Sequence, residues 1–183
     1  MIVISESDRG IADAFNKGLL RATGDIVGFL NSDDWYANDG VLKLINDMYS
    51  GENTVLCGSV DMYTSDNKYI KKRESYPSKI RHGMYIQHPA SFVPLKLIRK
   101  VGLFDHKYKI AMDFDYFTRL MFCGAEFKKI SQVITCMQTG GVSSNILHAI
   151  KEDLSIKNKY YGPSVRTYIH YYLSCIIGKS RLR

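Results

Sequence analysis

An apolar run that ends in two adjacent carboxylates limits what this chain can fold into. Residues 26–30 read Ile-Val-Gly-Phe-Leu, and Asn31, Ser32, Asp33 and Asp34 follow directly. A run without a polar break is typical of a strand covered on both faces, as found in the middle of parallel α/β sheets. Open α/β sheets bind ligands at the carboxyl ends of such strands, so the pattern predicts a functional site at this acidic segment.

The rest of the N-terminal half predicts alternating strands and helices. Residues 1–4 form a short apolar strand candidate, and residues 11–22 carry their apolar side chains at helical spacing. Asn38 is a suitable N-cap for a second helix. Residues 54–63 and 68–74 predict an antiparallel hairpin, so we expect an α/β fold with a mixed, mainly parallel sheet.

The C-terminal part predicts two helices, over about residues 146–160 and 164–177, after a core of residues 1–145. The second helix has a continuous apolar stripe of Val165, Tyr168, Ile169, Tyr172, Leu173, Ile176 and Ile177, with Arg166, Lys179, Arg181 and Arg183 at or beyond its ends. Such a stripe either packs on the domain or lies on an anionic membrane. The sequence leaves both interpretations open for the tail, residues 146–183.

Composition narrows the class of protein. With 183 residues, 45% hydrophobic and 23% charged, the chain can bury one substantial core and is typical of neither disordered nor membrane-spanning proteins. Its net charge of +7 suits nucleic acid, an anionic membrane or a phosphorylated substrate, but no nucleic-acid recognition motif accompanies it. The four cysteines lack zinc-ligand or disulfide spacing, and no signal peptide opens the sequence, so we expect a cytoplasmic protein.

The acidic segment offers hard oxygen ligands of the kind that bind Mg²⁺ or Mn²⁺ together with substrate phosphates. By itself, an Asn-Ser-Asp-Asp run is also a common turn or helix cap.

Several further motifs occur with this segment in a fixed order. They are residues 5–18, 22–25, 30–34, 88–92, 101–105, 111–115 and 140–143. Together they resemble the core of family 2 glycosyltransferases with the GT-A fold, and the resemblance covers roughly residues 3 to 145. It implies a three-layer sandwich that transfers a sugar from a nucleotide-sugar donor.

The resemblance assigns donor-binding roles to specific positions. Asn31 stands where many relatives have aspartate and would contact the ribose, while Asp33 and Asp34 would hold Mn²⁺ or Mg²⁺ on the diphosphate. A neutral amide is a poorer metal ligand than a carboxylate, so the metal is assigned to the two aspartates. The same resemblance implies that the nucleotide pocket is lined by Asp8, Asn16 and Lys17, with Lys17 near the phosphates.

The resemblance also implies a catalytic base. Asp113 matches the position of the carboxylate that accepts the proton of the attacking hydroxyl in an inverting transfer, and Asp115 is its neighbour in the motif. Either aspartate could instead cap the N-terminus of a helix. His88 lies on the family's loop near the acceptor and the donor phosphate, where it would bond the diphosphate or serve the structure alone.

The implied activity is a metal-dependent, inverting transfer from a UDP-linked donor to a glycan or lipid-linked acceptor in cell-surface polysaccharide synthesis. Residues 164–183 would give peripheral contact with the inner face of the cell membrane. Relatives have roughly fifty more residues before Ile2, which carry an N-terminal βαβ portion, so we expect a truncated GT-A fold. The alternative is a non-catalytic remnant or interaction module that retains part of that fold.

Overall fold

The computed structural model describes residues 3–140 and 146–180, which form a six-stranded sheet with helices on both faces. The strands are β1 (Ile26–Gly28), β2 (Trp35–Tyr36), β3 (Thr54–Tyr63), β4 (Tyr69–Arg73), β5 (Ser91–Pro94) and β6 (Glu126–Gln138). The helices are α1 (Ile11–Arg21), α2 (Val41–Met48), α3 (Leu95–Val101), α4 (Met112–Phe122), α5 (Ile146–Tyr161) and α6 (Val165–Ser180). Short 3-10 turns occupy Pro77–His82 and His88–Ala90.

The sheet has the order β1-β5-β3-β6-β2, with β4 paired to β3. The predicted mixed sheet is confirmed, but the expected parallel majority is wrong, because among the described strands only β3 and β6 pair in parallel. The reason lies in two short return strands. Strand β5 enters antiparallel between β1 and β3, and β2 runs back along β6 directly after the acidic segment.

Strand β1 does not lie in the middle of the sheet, contrary to prediction. It pairs only with β5 among the described strands, and its residues are half-buried or exposed. Gly28 faces Phe92 across the ladder so closely that a Cβ at residue 28 would lie 2.6 Å from the Phe92 ring. The predicted strand at residues 1–4 is also wrong where it can be seen, because Val3 and Ile4 lie outside the sheet and are exposed. Met1 and Ile2 lie outside the described residues.

Two hydrophobic clusters, one on each face of the sheet, complete the predicted three-layer sandwich. Helix α2 covers one face by packing Val41 and Ile45 against Leu56 and Val60 of β3. The other face is covered by α1, α3, α4 and α5, whose buried residues include Leu19, Leu97, Phe117, Leu120 and Ile156. The α/β class and the layer arrangement therefore follow the sequence prediction.

Helix α5 packs in the same hydrophobic cluster as α1, α3 and α4, although the sequence analysis assigned it to the tail. Ile156 is fully buried in the core that α4 also lines. The division at residue 145 remains a prediction, but the packing makes α5 part of the folded core.

Helix α6 contacts α5 through Thr167, Tyr171 and Ser174, which line a small gap of about 30 Å³ with α5 residues. Most of the predicted apolar stripe is exposed, although the Tyr168 hydroxyl accepts a hydrogen bond from Asn158 Nδ2 of α5 at 3.4 Å. Five stripe residues are more than half exposed, namely Val165, Ile169, Tyr172, Leu173 and Ile176. Tyr168 is 39% exposed. The side chain of Ile177 and the residues Arg181 and Arg183 lie outside what is described. None of the described helices is long and apolar enough to cross a membrane.

The burial of α5 can be tested by comparing unfolding free energies. Replacing Ile156 with alanine leaves a cavity in the shared core and should cost about 2–5 kcal/mol in urea denaturation. The matched change Ile176→Ala, on the exposed stripe of α6, should alter stability by no more than about 0.5 kcal/mol. Equal effects of the two substitutions would show that α5 is not part of the core.

Candidate functional site

The acidic segment forms a tight turn between β1 and β2. The backbone N–H of Asp34 donates to the carbonyl of Asn31 at 3.1 Å, and the Asn31 side-chain amide donates to Asp34 Oδ2 at 2.9 Å. Asp34 is buried, whereas Asp33 is exposed. The amide of Asn31 therefore orients one carboxylate inward while the other faces solvent.

The two aspartates differ in their surroundings, and Asp34 is the one with an unsatisfied oxygen. Asp34 Oδ1 is buried and has no hydrogen-bond partner among the described residues. Burial raises the pKa of the Asp34 carboxyl, and the charge of Asp33 adds to this shift. Hydrogen bonding from the Asn31 side chain and from the Gln138 backbone opposes it. A buried carboxylate oxygen without a partner fits metal coordination. The described residues contain no cluster of three or more His, Cys, Asp or Glu side chains arranged for a metal, so water and substrate oxygens would complete the coordination.

Lys17 is surrounded by acidic groups of the segment that precedes α1. Its Nζ donates to Asp8 Oδ1 at 2.8 Å and to the Ser7 carbonyl at 2.7 Å, and it lies 3.3 Å from Glu6 Oε1. The hydrogen bond to Asp8 is the main cause of a raised pKa at Lys17. Asp8 and Lys17 thus bind each other, and their predicted place in the nucleotide pocket remains a prediction.

Asn16 joins α1 to the loop before α4. Its amide nitrogen donates to the Phe104 carbonyl at 3.0 Å, and its oxygen accepts from the Phe104 N–H at 2.8 Å. Asn16 is buried, and both of its polar atoms bond the backbone. This geometry gives Asn16 a structural task, and its predicted contact with the nucleotide remains a prediction.

His88 sits among aromatic rings. Its imidazole stacks on Phe29 at 5.2 Å between ring centroids and contacts Phe15, Phe104 and Phe117 at 5.3 to 6.1 Å. Burial lowers the pKa of His88 to about 4, so the ring is neutral at physiological pH. A neutral imidazole in a phenylalanine cluster suits packing better than phosphate binding, and the diphosphate contact stays a prediction.

Asp113 lies in the first turn of α4. The carboxylate is half-buried, and its Oδ1 accepts a hydrogen bond from the Phe114 N–H at 2.7 Å. Burial raises its pKa to about 7, and the nearby charges of Asp153 and Glu152 push in the same direction. A carboxyl that titrates near neutral pH is suited to accepting a proton.

Asp115 has a different environment and a structural role. It is fully buried, and its carboxylate accepts from Arg119 Nε at 2.8 Å, Lys159 Nζ at 3.0 Å and the Tyr160 hydroxyl at 2.8 Å. Arg119 also donates to the carbonyls of Val101 and Leu103. Asp115 therefore ties α4 to α5 and to the end of α3, which leaves Asp113 as the available carboxylate of the pair.

Glu152 on α5 fixes the backbone that leads into Asp113. Its buried carboxylate accepts from the N–H groups of Lys109, Ile110 and Ala111 at 2.8 to 2.9 Å. Burial raises the pKa of Glu152. The three backbone hydrogen bonds and the charge of His148 lower it, and the net shift is downward. Sequence analysis missed this residue because it treated α5 as a tail. The only signal was that Glu152 precedes the buried Ile156 by four residues, on one helical face.

The topology brings these elements to one region. The strands β1, β3 and β6 run in the same direction, and both the acidic segment and the turn at His88–Ala90 lie at their carboxyl ends. Helix α4 runs opposite to β6, and the chain reverses between them at Gly124. The N-terminus of α4, with Asp113, therefore lies at the same end of the sheet as the carboxyl ends of these strands. A cavity of about 230 Å³ opens between the loops that precede α1 and α4, lined by Arg9, Gly10, Ile11, Ala12, His106, Tyr108 and Lys109. Gly141, Val142 and Ser143 of the predicted glycine motif lie outside the described residues.

This arrangement agrees with comparisons to known proteins. The model of glycosyl transferase family 2 matches residues 1–121 of the chain. The chain belongs to this family. Two curated relatives from strains of Mycobacterium tuberculosis, both named as uncharacterized glycosyltransferases, are 30% identical over 148 residues. The match covers 77% of this chain and 55% of each relative, so the chain spans about half the length of the curated relatives it matches.

Solved structures confirm the GT-A type of fold. The crystal structure of residues 1–349 of S. aureus TarS in complex with UDP-GlcNAc superposes with a TM-score of 0.57 and 15% identity, covering 90% of this chain and 51% of that one. The complex of the same protein with UDP gives a TM-score of 0.51 over 83% of this chain and 46% of that one, again at 15% identity. This chain is therefore a family 2 member with a GT-A type of fold.

The raised pKa of Asp113 predicts a pH-dependent stability. Its pKa is about 7 in the folded protein against 3.8 for an ordinary aspartate, so the folded state binds more protons between these values. Stability should therefore fall as pH rises from about 4 to 7. Asp113→Asn removes this penalty and should raise the free energy of unfolding at pH 8 by roughly 2 to 4 kcal/mol, with little gain at pH 4.

The control is Asp47→Asn on the exposed side of α2, which should change stability by less than about 0.5 kcal/mol at either pH. Urea titrations at both pH values supply the comparison. If Asp113→Asn were destabilising at pH 8, the ionised carboxylate of Asp113 would not lower the stability of the folded protein, and the raised pKa would be contradicted.

Proposed function

We propose that this protein transfers a sugar from a UDP-linked donor to a glycan or lipid-linked acceptor in cell-surface polysaccharide synthesis, with inversion at the sugar carbon. The observation that carries the proposal is Asp113, a half-buried carboxylate with a pKa of about 7 at the start of α4. The UDP-GlcNAc and UDP complexes of the similar TarS fold support a nucleotide-sugar donor.

In the proposed reaction Asp113 acts as the general base. Its carboxylate accepts the proton of the acceptor hydroxyl, while the hydroxyl oxygen forms a bond to the sugar carbon and the nucleoside diphosphate leaves from the opposite face. A pKa near neutrality matches this task, because the group is ionised before the step and accepts a proton readily. Glu152 holds the preceding loop, which keeps Asp113 in one position.

Asp33 and Asp34 would bind the metal, Mn²⁺ or Mg²⁺, that balances charge on the departing diphosphate. The buried and unpartnered Oδ1 of Asp34 supports this assignment. Asn31 orients Asp34 and would contact the ribose with its remaining polar atom. Around them, the proposed donor pocket includes Asp8, Asn16, Lys17 and His88; Lys17 would have to exchange its contact with Asp8 for one with phosphate.

The exposed stripe of α6 supports a peripheral location at the inner face of the cell membrane. Ile169, Tyr172 and Leu173 present apolar and aromatic groups to solvent, and a lipid-linked acceptor would be found at such a surface. The basic residues at the ends of this helix in the sequence suit anionic headgroups.

The role of Asp113 can be separated from donor binding. In Asp113→Asn, transfer or slow hydrolysis of a panel of UDP-sugars with Mn²⁺ should fall about 10²- to 10⁴-fold, since a general base is lost. Calorimetric binding of UDP with Mn²⁺ should persist in this variant. In Asp33→Asn and Asp34→Asn, the Mn²⁺-dependent part of UDP binding should be lost.

Asp47→Asn again serves as the carboxylate control and should retain both activities. Undiminished turnover in Asp113→Asn would overturn the assignment of the base. A protein that binds no UDP with Mn²⁺ in any form would favour the non-catalytic alternative.

Membrane contact predicts binding to vesicles that contain phosphatidylglycerol. Leu173→Glu should weaken the bound fraction in flotation experiments by about tenfold, because one apolar anchor is replaced by an anion. The matched change Leu20→Glu, at a 72% exposed leucine of α1, should have no effect. Equal binding by both variants would show that α6 does not contact the lipid.

A further inference from the structure

Three aromatic side chains form a row directly beside the acidic segment. Trp35 on β2 lies 5.4 Å from Tyr63 at the end of β3, and Tyr63 lies 5.8 Å from Tyr69 on β4, measured between ring centroids. Trp35 is 38% exposed and Tyr69 is 57% exposed, while Tyr63 between them is half-buried. We call these three residues the aromatic shelf.

The strand register places the shelf on the same face of the sheet as Asp113. Trp35 pairs with Cys136, Cys136 pairs with Asp61, and Tyr63 pairs with Tyr69. Paired residues share a face, and residues two apart on a strand share it as well. The adjacent Tyr36 packs with α2 on the opposite face, so the shelf lies on the face covered by α4.

Polar groups surround the rings. The carboxylate of Asp61 makes neither an ion pair nor a hydrogen bond within residues 3–140 and 146–180, and it is half-buried beside the shelf. Beyond Tyr63, the side-chain amide of Gln138 donates to Asn67 Oδ1 at 3.0 Å. Flat apolar rings with hydrogen-bonding groups at their margins are suited to a ligand that has both apolar faces and hydroxyl edges.

A sugar ring has this combination. Its C–H groups carry partial positive charge and pack on the negative face of an aromatic ring, while its hydroxyls reach polar side chains at the margin. The row is three rings long and stepped, because the Tyr63 ring is inclined by 43° to Trp35 and by 75° to Tyr69. Successive sugar units would therefore each pack on a different ring. It begins at the residue after Asp34, so a chain lying on it would extend away from the proposed donor site.

We propose that the aromatic shelf binds the acceptor, and that this acceptor is a glycan chain of at least two sugar units stacked on Trp35, Tyr63 and Tyr69. The inference rests on the proposed glycosyl transfer and names the acceptor class for that site. Asp61 accepts a hydrogen bond from a hydroxyl of the bound glycan.

Trp35 is the single tryptophan of the chain, so its fluorescence reports directly on the shelf. We would titrate the protein with neutral, N-acetylated and uronic-acid tetrasaccharides, without nucleotide or metal. At least one class should give a saturable change in emission. Tyr63→Ala and Tyr69→Ala should each weaken that affinity roughly three- to tenfold, the range expected for loss of one stacked ring.

A control variant makes the test specific. Tyr172→Ala removes a tyrosine that is 63% exposed on α6, away from the shelf, and should leave the glycan affinity unchanged. The titration contains neither nucleotide nor metal and measures no transfer, so failure of the shelf and failure of the proposed chemistry are distinguishable. Circular dichroism of each variant checks that the fold is intact.

The proposal is overturned if none of the tetrasaccharide classes produces a saturable change, or if Tyr63→Ala and Tyr69→Ala bind as tightly as the parent. A change produced by uridine or UDP and lost in the shelf variants, with no response to glycans, would assign the shelf to the nucleobase instead. A change in Trp35 emission on dilution of the protein alone, absent from Tyr63→Ala and Tyr69→Ala, would show instead that the shelf binds a second copy of the chain.

Discussion

The parallel pairing of β3 with β6 is the interaction on which the rest of this structure depends. The two strands pair from Thr54 and Glu126 to Tyr63 and Gln138, and every other pair except β1–β5 uses one of them. Parallel strands need coverage on both faces, which α2 supplies on one side and α1, α3, α4 and α5 supply on the other. Because β2 and β5 return antiparallel, the loops around the acidic segment and His88 gather at the same end of this pair.

Two buried carboxylates then fix the helix that carries the candidate base. Asp115 joins α4 to α5 through Lys159 and Tyr160, and Glu152 accepts from the three backbone N–H groups before α4. Both are fully provided with hydrogen bonds, which is what makes a buried charge tolerable. Asp113 lies next to them with one hydrogen bond, from the Phe114 N–H, and burial outweighs that bond and raises its pKa. The same packing that stabilises the helix makes its first carboxyl a better proton acceptor.

The raised pKa of Asp113 has a cost in stability. An ionised Asp113 near Asp153 and Glu152 costs folding free energy at neutral pH, and the neighbouring networks offset that cost. The exposed aromatic and apolar groups of the shelf and of α6 are a second case, because they leave contact area unused in the isolated chain. Both features agree with surfaces and groups that are retained for binding and chemistry.

The sequence by itself determined the α/β class, the limits of several helices and strands, and the motifs of the family. Local periodicity and ordered motifs carry that information, as in β3, whose predicted limits at residues 54 and 63 match the structure. Only the tertiary structure decided the strand directions, the edge position of β1, the separate tasks of Asp113 and Asp115, and the part played by Glu152. These depend on contacts between residues far apart in the chain, such as Asp115 with Lys159 and Tyr160, which local patterns do not encode.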